Sequence, residues 1–175
     1  MIGEVFELDE LYWFIERKAH SETRGNVYLM TMISRESRQI VGFDVARDKS
    51  PGRIQAIVDS APEARKYCTD GYLGYVDIVY PGQHIRNIHN KNDTFTIEGI
   101  NADLRHYIPG LARRSRCFYR SIETLLAVVS VFVDAYNKFA EAKLKYRVLT
   151  VHKPPTLSKH LHKFREPGFS LLDFL

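Results

Sequence analysis

Cysteine is scarce in this chain, and long apolar runs are absent. Only Cys68 and Cys117 occur among 175 residues, which excludes a scaffold built on several disulfides. The longest apolar stretch, residues 125–133, is nine residues long and is interrupted by Ser130, whereas a membrane helix needs roughly 18. The first residues, MIGEVFELDELY, are acidic and polar and do not form a signal peptide. We therefore expect a cytoplasmic protein that does not enter a membrane.

Hydrophobic residues are plentiful, and the charge is unevenly distributed. They make up 45% of the chain against 26% charged residues, enough for a folded core and too apolar for a disordered chain. Residues 1–98 hold 12 Lys and Arg against 15 Asp and Glu, whereas residues 99–175 hold 13 against 6. An acidic first part followed by a basic second part suggests carboxylate chemistry beside a surface that binds a polyanion. An uneven but merely solvated surface is the alternative.

Hydrophobic periodicity and turn residues predict the order β-β-β-α-β-α-β-α-α. The predicted strands are residues 5–15, 26–34, 39–46, 66–69 and 84–89, and the predicted helices are 51–61, 72–80, 95–107 and 121–139. This order is typical of the α/β ribonuclease H-like fold, in which three antiparallel strands and then parallel strands form a mixed five-stranded sheet with flanking helices. We expect a catalytic core over residues 1–120, an apolar helix over 121–142 that packs on the core or on a dimer partner, and a basic tail over 143–175.

Three acidic residues stand where such a fold would hold a metal ion. Asp9 interrupts an aromatic strand, where a buried charge is costly unless it is paired or binds metal. Asp70 directly follows the fourth strand, and Glu98 lies in the first turn of a later helix. Carboxylate oxygens suit Mg²⁺ or Mn²⁺, and two such ions about 3.5–4 Å apart catalyse phosphodiester chemistry.

Each acid also has an ordinary structural interpretation. Asp9 can be a surface residue of an edge strand, Asp70 the first residue of an Asp-Gly turn, and Glu98 a partner of the helix dipole. Other acids can form a rival set of ligands. These are Glu7, Glu10, Asp44 and Asp103.

Three segments resemble a known enzyme family. They are ELDELYWF at residues 7–14, TDGYLGY at 69–75 and IEGINADLRHYIPGLARRSRCFYRS at 97–121. In order and spacing, residues 5–140 resemble the catalytic half of DDE transposases of the insertion-sequence-one type. The third segment is the most specific, with a Glu, an Asn three residues later, a Leu-Arg pair, several basic residues, and a Phe shortly before a Ser. The resemblance implies Asp9, Asp70 and Glu98 as the catalytic and metal-binding triad, with a two-ion Mg²⁺ or Mn²⁺ site.

The resemblance also implies partners. The substrate would be double-stranded DNA, as transposon ends and as target, and the enzyme would be a homo-oligomer. The family carries an N-terminal zinc-binding and helix-turn-helix region that recognises the ends, whereas this sequence begins just before Asp9. We therefore expect that region to be separate or upstream. Tyr72 also departs from the family, which has Trp after the Asp-Gly pair.

Basic residues follow Glu98 closely and are candidates for DNA contact. Arginine pairs with phosphate through charge and bidentate hydrogen bonds. Asn101 and Arg105 share a helix face with Glu98, at spacings of three and seven residues. The predicted DNA-binding residues are Asn101, Arg105, Arg113, Arg114, Arg116 and Arg120.

Three functions remain open from the sequence. The first is a transposase that performs metal-dependent DNA strand cleavage and strand transfer. The second is a host nuclease of the same fold, which would cleave without joining. The third is an inactive or truncated remnant that binds DNA or inhibits a complete transposase.

Overall fold

The computed structural model describes residues 4–15, 25–87, 94–112, 117–151 and 169–175. The strands are β1 (Val5–Phe14), β2 (Asn26–Ser34), β3 (Ile40–Ala46), β4 (Lys66–Thr69) and β5 (Gln83–Arg86). The helices are α1 (Pro51–Ser60), α2 (Phe95–Tyr107) and α3 (Ile122–Val151). Short 3₁₀ turns occur at Leu73–Tyr75, Pro109–Leu111 and Leu171–Asp173.

The five strands form one mixed sheet in the order β3-β2-β1-β4-β5. β1, β2 and β3 are joined by antiparallel pairing, and β4 pairs in parallel with both β1 and β5. The mixed α/β sheet predicted from the sequence is therefore confirmed. β1 lies inside the sheet, so both of its edges are paired with neighbouring strands.

The side chains of β1 alternate between the two faces of the sheet and pack into two separate hydrophobic cores. Phe6 and Leu8 pack on one face with the apolar side of α1, whereas Leu11 and Ile15 pack on the other face with α2 and α3. A period of two places successive side chains on opposite sides of a strand, which explains how one strand serves both cores.

Residues 72–80 do not form the predicted helix, because other groups take their hydrogen bonds. The backbone N–H of Tyr72 donates to Asp70 Oδ1 at 2.8 Å. Further on, Gln55 holds both backbone groups of Val79, accepting from its N–H at 2.8 Å and donating to its carbonyl at 3.0 Å. Only one 3₁₀ turn remains, and it buries Tyr75 against the α1 side of the sheet.

Helix α3 is longer than predicted, because the apolar pattern ends before the helix does. The prediction stopped at Phe139, whereas the helix continues to Val151 through charged residues that are good helix formers. Lys145 and Glu141 pair across one turn at 2.6 Å. In the part of the chain that the structure describes, no helix is both long enough and apolar enough to cross a membrane.

The last described residues return to the core. Leu171 is buried in the cluster beneath α3, and the rings of Phe169 and Phe174 lie 6.0 and 6.1 Å from the ring of Phe139. This apolar segment thus docks on its own domain.

Candidate metal centre

Asp9 lies in the central strand, which rules out the edge-strand interpretation. It pairs with Thr31 of β2, and the other side of β1 is occupied by β4. Its side chain shares a face of β1 with Glu7 and Leu11, the face covered by α2 and α3. A carboxylate at this place is enclosed by the fold and needs partners of opposite charge or polar character.

Asp70 is brought beside Asp9 by the parallel pairing of β4. The last pair of that ladder joins Leu8 to Thr69, and the residue that follows each of them is an acid. Asp70 is also the turn residue of the alternative interpretation, because its Oδ1 accepts the N–H of Tyr72. The two roles are compatible, since a carboxylate has a second oxygen and several lone pairs.

A third acid, Glu10, completes a close group. Each of Asp9, Glu10 and Asp70 offers one carboxylate oxygen, and these atoms all lie within 4.8 Å of one another. Carboxylate oxygens are the donor type that Mg²⁺ and Mn²⁺ prefer. Glu10 was named from the sequence only as one of several rival ligands, whereas the structure places it in the close group.

Glu10 is almost enclosed and only partly satisfied. Its side chain is 6% exposed, and Lys49 Nζ lies 3.6 Å from its Oε2. Its Oε1 is buried without a hydrogen-bond partner among the described residues. Burial raises the pKa of Glu10, and the charge of Lys49 opposes that rise. An enclosed, unsatisfied carboxylate oxygen beside two further acids is chemically suited to a cation.

Helix α2 brings Asn101 and Glu98 to the same centre. Asn101 is 5% exposed, and its Nδ2 donates to Asp9 Oδ2 at 2.8 Å. Its Oδ1 is buried without a hydrogen-bond partner among the described residues. Glu98 lies outside the close three-acid group but is near enough to Asp9 for its charge to act on that carboxyl.

The electrostatics of Asp9 reflect this crowding. Burial, together with the negative charges of Asp70 and Glu98, raises the pKa of Asp9 from 3.8 to about 6. Hydrogen bonds from the Glu10 backbone and from Asn101 oppose the rise. A carboxylate whose ionisation is opposed by neighbouring carboxylates gains most from a bound cation.

Glu7 anchors α2 against β1. It is 0% exposed, receives Arg35 Nε at 2.7 Å on Oε1, and receives the backbone N–H of Ile97 at 2.9 Å on Oε2. The side chain of Thr94, the N-cap residue of α2, makes no capping bond. A strand carboxylate therefore satisfies the first turn of the helix, and it does so two residues before Asp9. Sequence reasoning missed this role.

The remaining rival acids are engaged elsewhere. Asp44 pairs with Arg53 at 3.1 Å, and Asp103 accepts a hydrogen bond from the Tyr136 hydroxyl at 3.4 Å. Of the predicted DNA-binding arginines, Arg105 is half-buried in α2 and Arg120 is exposed just before α3. Arg113, Arg114 and Arg116 lie outside the described residues.

Comparisons with known proteins do not assign this chain to a family. No protein-family model matches this chain. A search of curated proteins likewise gave no significant match.

Proposed function

We propose that this chain is the catalytic core of a DDE transposase similar to the insertion-sequence-one type, which cleaves DNA strands and joins the freed ends to target DNA. The observation that carries the proposal is the meeting of Asp9 and Asp70 on adjacent parallel strands. They lie 61 positions apart in the chain, and each offers an oxygen to the same close group. Asn101 and Glu98 approach this group from α2.

The strand arrangement supports a ribonuclease H-like fold. Such a fold has three antiparallel strands followed by parallel strands, with the first strand central. The order β3-β2-β1-β4-β5 and the pairing directions agree with that arrangement. The sites of α/β sheets lie at the carboxyl ends of parallel strands, and Asp70 occupies such an end.

The donor set fits a divalent cation. All the candidate ligands are oxygens, and two of the enclosed oxygens, Glu10 Oε1 and Asn101 Oδ1, lack hydrogen-bond partners among the described residues. Asp9 and Asp70 would hold Mg²⁺ or Mn²⁺ between them, and Glu98 would complete the site of a second ion. When bound, such ions activate the attacking oxygen and stabilise the leaving oxygen of a phosphodiester.

The chain's own residues prepare this chemistry. Asn101 fixes the orientation of the Asp9 carboxylate through its hydrogen bond and favours its ionised form. Glu7 fixes α2, and with it Glu98 and Asn101, relative to β1. Arg105, two turns beyond Glu98, would extend the same helix face toward the phosphate backbone of DNA.

The decisive experiment uses a duplex oligonucleotide that stands for a transposon end, with the 3′ end already exposed. The wild-type chain should join this end to a target plasmid in Mg²⁺ or Mn²⁺, and Asp70→Asn should abolish joining. Asp134→Asn is a matched control, because Asp134 is exposed on α3, where it pairs with the nearby Lys138.

The outcomes separate the candidate functions. Joining that requires Asp70 supports a transposase, and hydrolysis without joining supports a host nuclease. Equal activity of the wild type and Asp70→Asn refutes catalysis at this centre.

A further inference from the structure

Lys49 places a positive charge beside Glu10, one of the three acids. It lies between β3 and α1, and its Nζ is 3.6 Å from Glu10 Oε2. The Lys49 side chain is 27% exposed, against 6% for Glu10. The ammonium thus sits at the mouth of the centre, between solvent and an enclosed carboxylate.

Aromatic rings hold Lys49 in that position. Its Nζ lies 3.6 Å from the ring centroid of Tyr72 and 5.6 Å from that of Tyr28, distances at which a cation is attracted to an aromatic face. Tyr72 also donates from its hydroxyl to the Lys49 carbonyl at 3.4 Å and from its backbone N–H to Asp70 Oδ1. The turn that carries Asp70 therefore also carries the ring that holds Lys49.

Lys49 satisfies only one side of Glu10. The other oxygen, Oε1, is buried without a hydrogen-bond partner among the described residues, and Glu10 belongs to the close group with Asp9 and Asp70. A divalent cation in that group would draw on the same carboxylate as Lys49, and the two positive charges would repel each other.

We propose that Lys49 is a resident cation that competes with the divalent ion for Glu10 and so sets the ion affinity of the centre. This inference rests on the proposed function, because it takes the acid group to be an ion site. In a water-like dielectric, a doubly charged ion and an ammonium roughly 6 Å apart repel each other enough to weaken binding about tenfold. Lys49 is thus a tuning residue, and removing its charge strengthens ion binding.

The test measures Mn²⁺ affinity of the full chain by isothermal titration calorimetry at about pH 8. Lys49→Met and Lys49→Gln should each bind Mn²⁺ about tenfold more tightly than the wild type. Lys49→Arg keeps the charge and should stay close to the wild type. Lys138→Met is the matched control, since Lys138 pairs with Asp134 on the exposed side of α3.

A gain in affinity distinguishes this role from a structural one, because a damaged site binds ions less well. Unchanged or weaker binding in both Lys49→Met and Lys49→Gln, with binding abolished by Asp70→Asn, overturns the role of Lys49 and leaves the ion site intact. Absence of Mn²⁺ binding in the wild type refutes the ion site and the role of Lys49 together. Ion binding without DNA joining contradicts the proposed reaction alone.

Discussion

Asn101 and Asp9 are joined by a hydrogen bond of 2.8 Å, from Nδ2 to Oδ2, although 92 positions separate them in the chain. The bond links the second turn of α2 to the middle of β1. It favours the ionised form of Asp9 and thereby opposes the rise in the pKa of that carboxyl that burial causes.

Asn101→Ala should therefore raise the pKa of Asp9 above about 6. The pH at which Mn²⁺ binding is half-maximal should move upward by about half a unit to one unit, as expected for one lost hydrogen bond. Calorimetric titrations between pH 5 and pH 8 measure this shift.

Asn137→Ala is the control for that variant. Asn137 also joins a helix to a strand, accepting from the Ile40 N–H at 2.8 Å and donating to its carbonyl at 2.9 Å. Its loss should reduce stability without moving the pH profile of ion binding. A profile that moves equally in both variants contradicts a specific effect on Asp9.

Replacing Asp9 should stabilise the ion-free protein while removing its activity. The pKa of Asp9 is raised in the folded state from 3.8 to about 6, so ionisation of this residue opposes folding. The stability that the protonated Asp9 carboxyl contributes is lost as the pH rises from about 4 through about 6. At pH 8, Asp9→Asn should raise the free energy of unfolding by about 1–3 kcal/mol.

The pH dependence provides the check on that prediction. Near pH 4, Asp9 is protonated in the folded wild type, so the two proteins should unfold at nearly the same urea concentration. A stability difference that does not change between pH 4 and pH 8 would show that the charge of Asp9 is not its cause.

Loss of the Glu7 anchor should reduce both stability and ion binding. Glu7→Ala leaves the N–H of Ile97 without its acceptor and removes the partner of Arg35. We expect a loss of about 2–4 kcal/mol in the free energy of unfolding, and weaker Mn²⁺ binding because α2 carries Asn101.

A second substitution tests whether the loss of stability is specific to the buried Glu7 carboxylate. Glu141→Ala removes an exposed acid that pairs with Lys145, and it should leave the free energy of unfolding nearly unchanged. Urea unfolding of both variants settles the comparison, and similar losses in the two would contradict an anchoring role for Glu7.

The elements of this fold were largely readable from the sequence because their signals are local. The bounds of β2, β4 and α2 were predicted correctly from apolar periodicity and turn residues. Residues 72–80 were wrongly predicted as a helix, because the side chain of Gln55, distant in sequence, takes the backbone groups of Val79. Long-range hydrogen bonds of this kind leave no local pattern.

The residues of the acid centre could be predicted only in part, because several of their partners are distant in the sequence. Asp9 and Asp70 stood out by their positions in and after strands, and the structure brings them together. Glu10 was named only as a rival ligand, although the structure places it in the close group; strand alternation alone would place its side chain on the other face of β1. Glu7 looked like an ordinary alternating acid, since its partners Arg35 and Ile97 are 28 and 90 positions away.

Replacing Glu10 and replacing Glu98 should affect ion binding and DNA joining differently. Glu10 belongs to the close acid group, so Glu10→Gln should weaken Mn²⁺ binding about tenfold or more. Glu98 acts on Asp9 by its charge and raises the pKa of that carboxyl. Glu98→Gln should therefore lower the pKa of Asp9 and leave binding of the first ion nearly intact, while abolishing DNA joining.

Measurements of ion affinity and DNA joining on both variants test this division. Equal losses of ion affinity in Glu10→Gln and Glu98→Gln would show that both acids hold the same ion.

The basic segment gives a prediction that rests on the sequence alone. Replacing both Arg114 and Arg116 with Ala should weaken binding to duplex DNA and reduce the slope of log affinity against log salt by about 2, since each phosphate contact contributes about 0.9. Fluorescence anisotropy between 50 and 200 mM salt measures that slope. An unchanged slope would remove these residues from the DNA interface.

The parallel pairing of β1 with β4 also determines when the centre can exist during synthesis and folding. β1 emerges from the ribosome before β4, and the segment containing Asp70 follows Asp9 by 61 residues. Closing such a long loop makes parallel pairing a slow step of folding. A nascent chain that has only its three-stranded meander holds Asp9 and Glu10 but no facing Asp70. Whatever chemistry the finished centre performs, unfinished chains are unable to perform it.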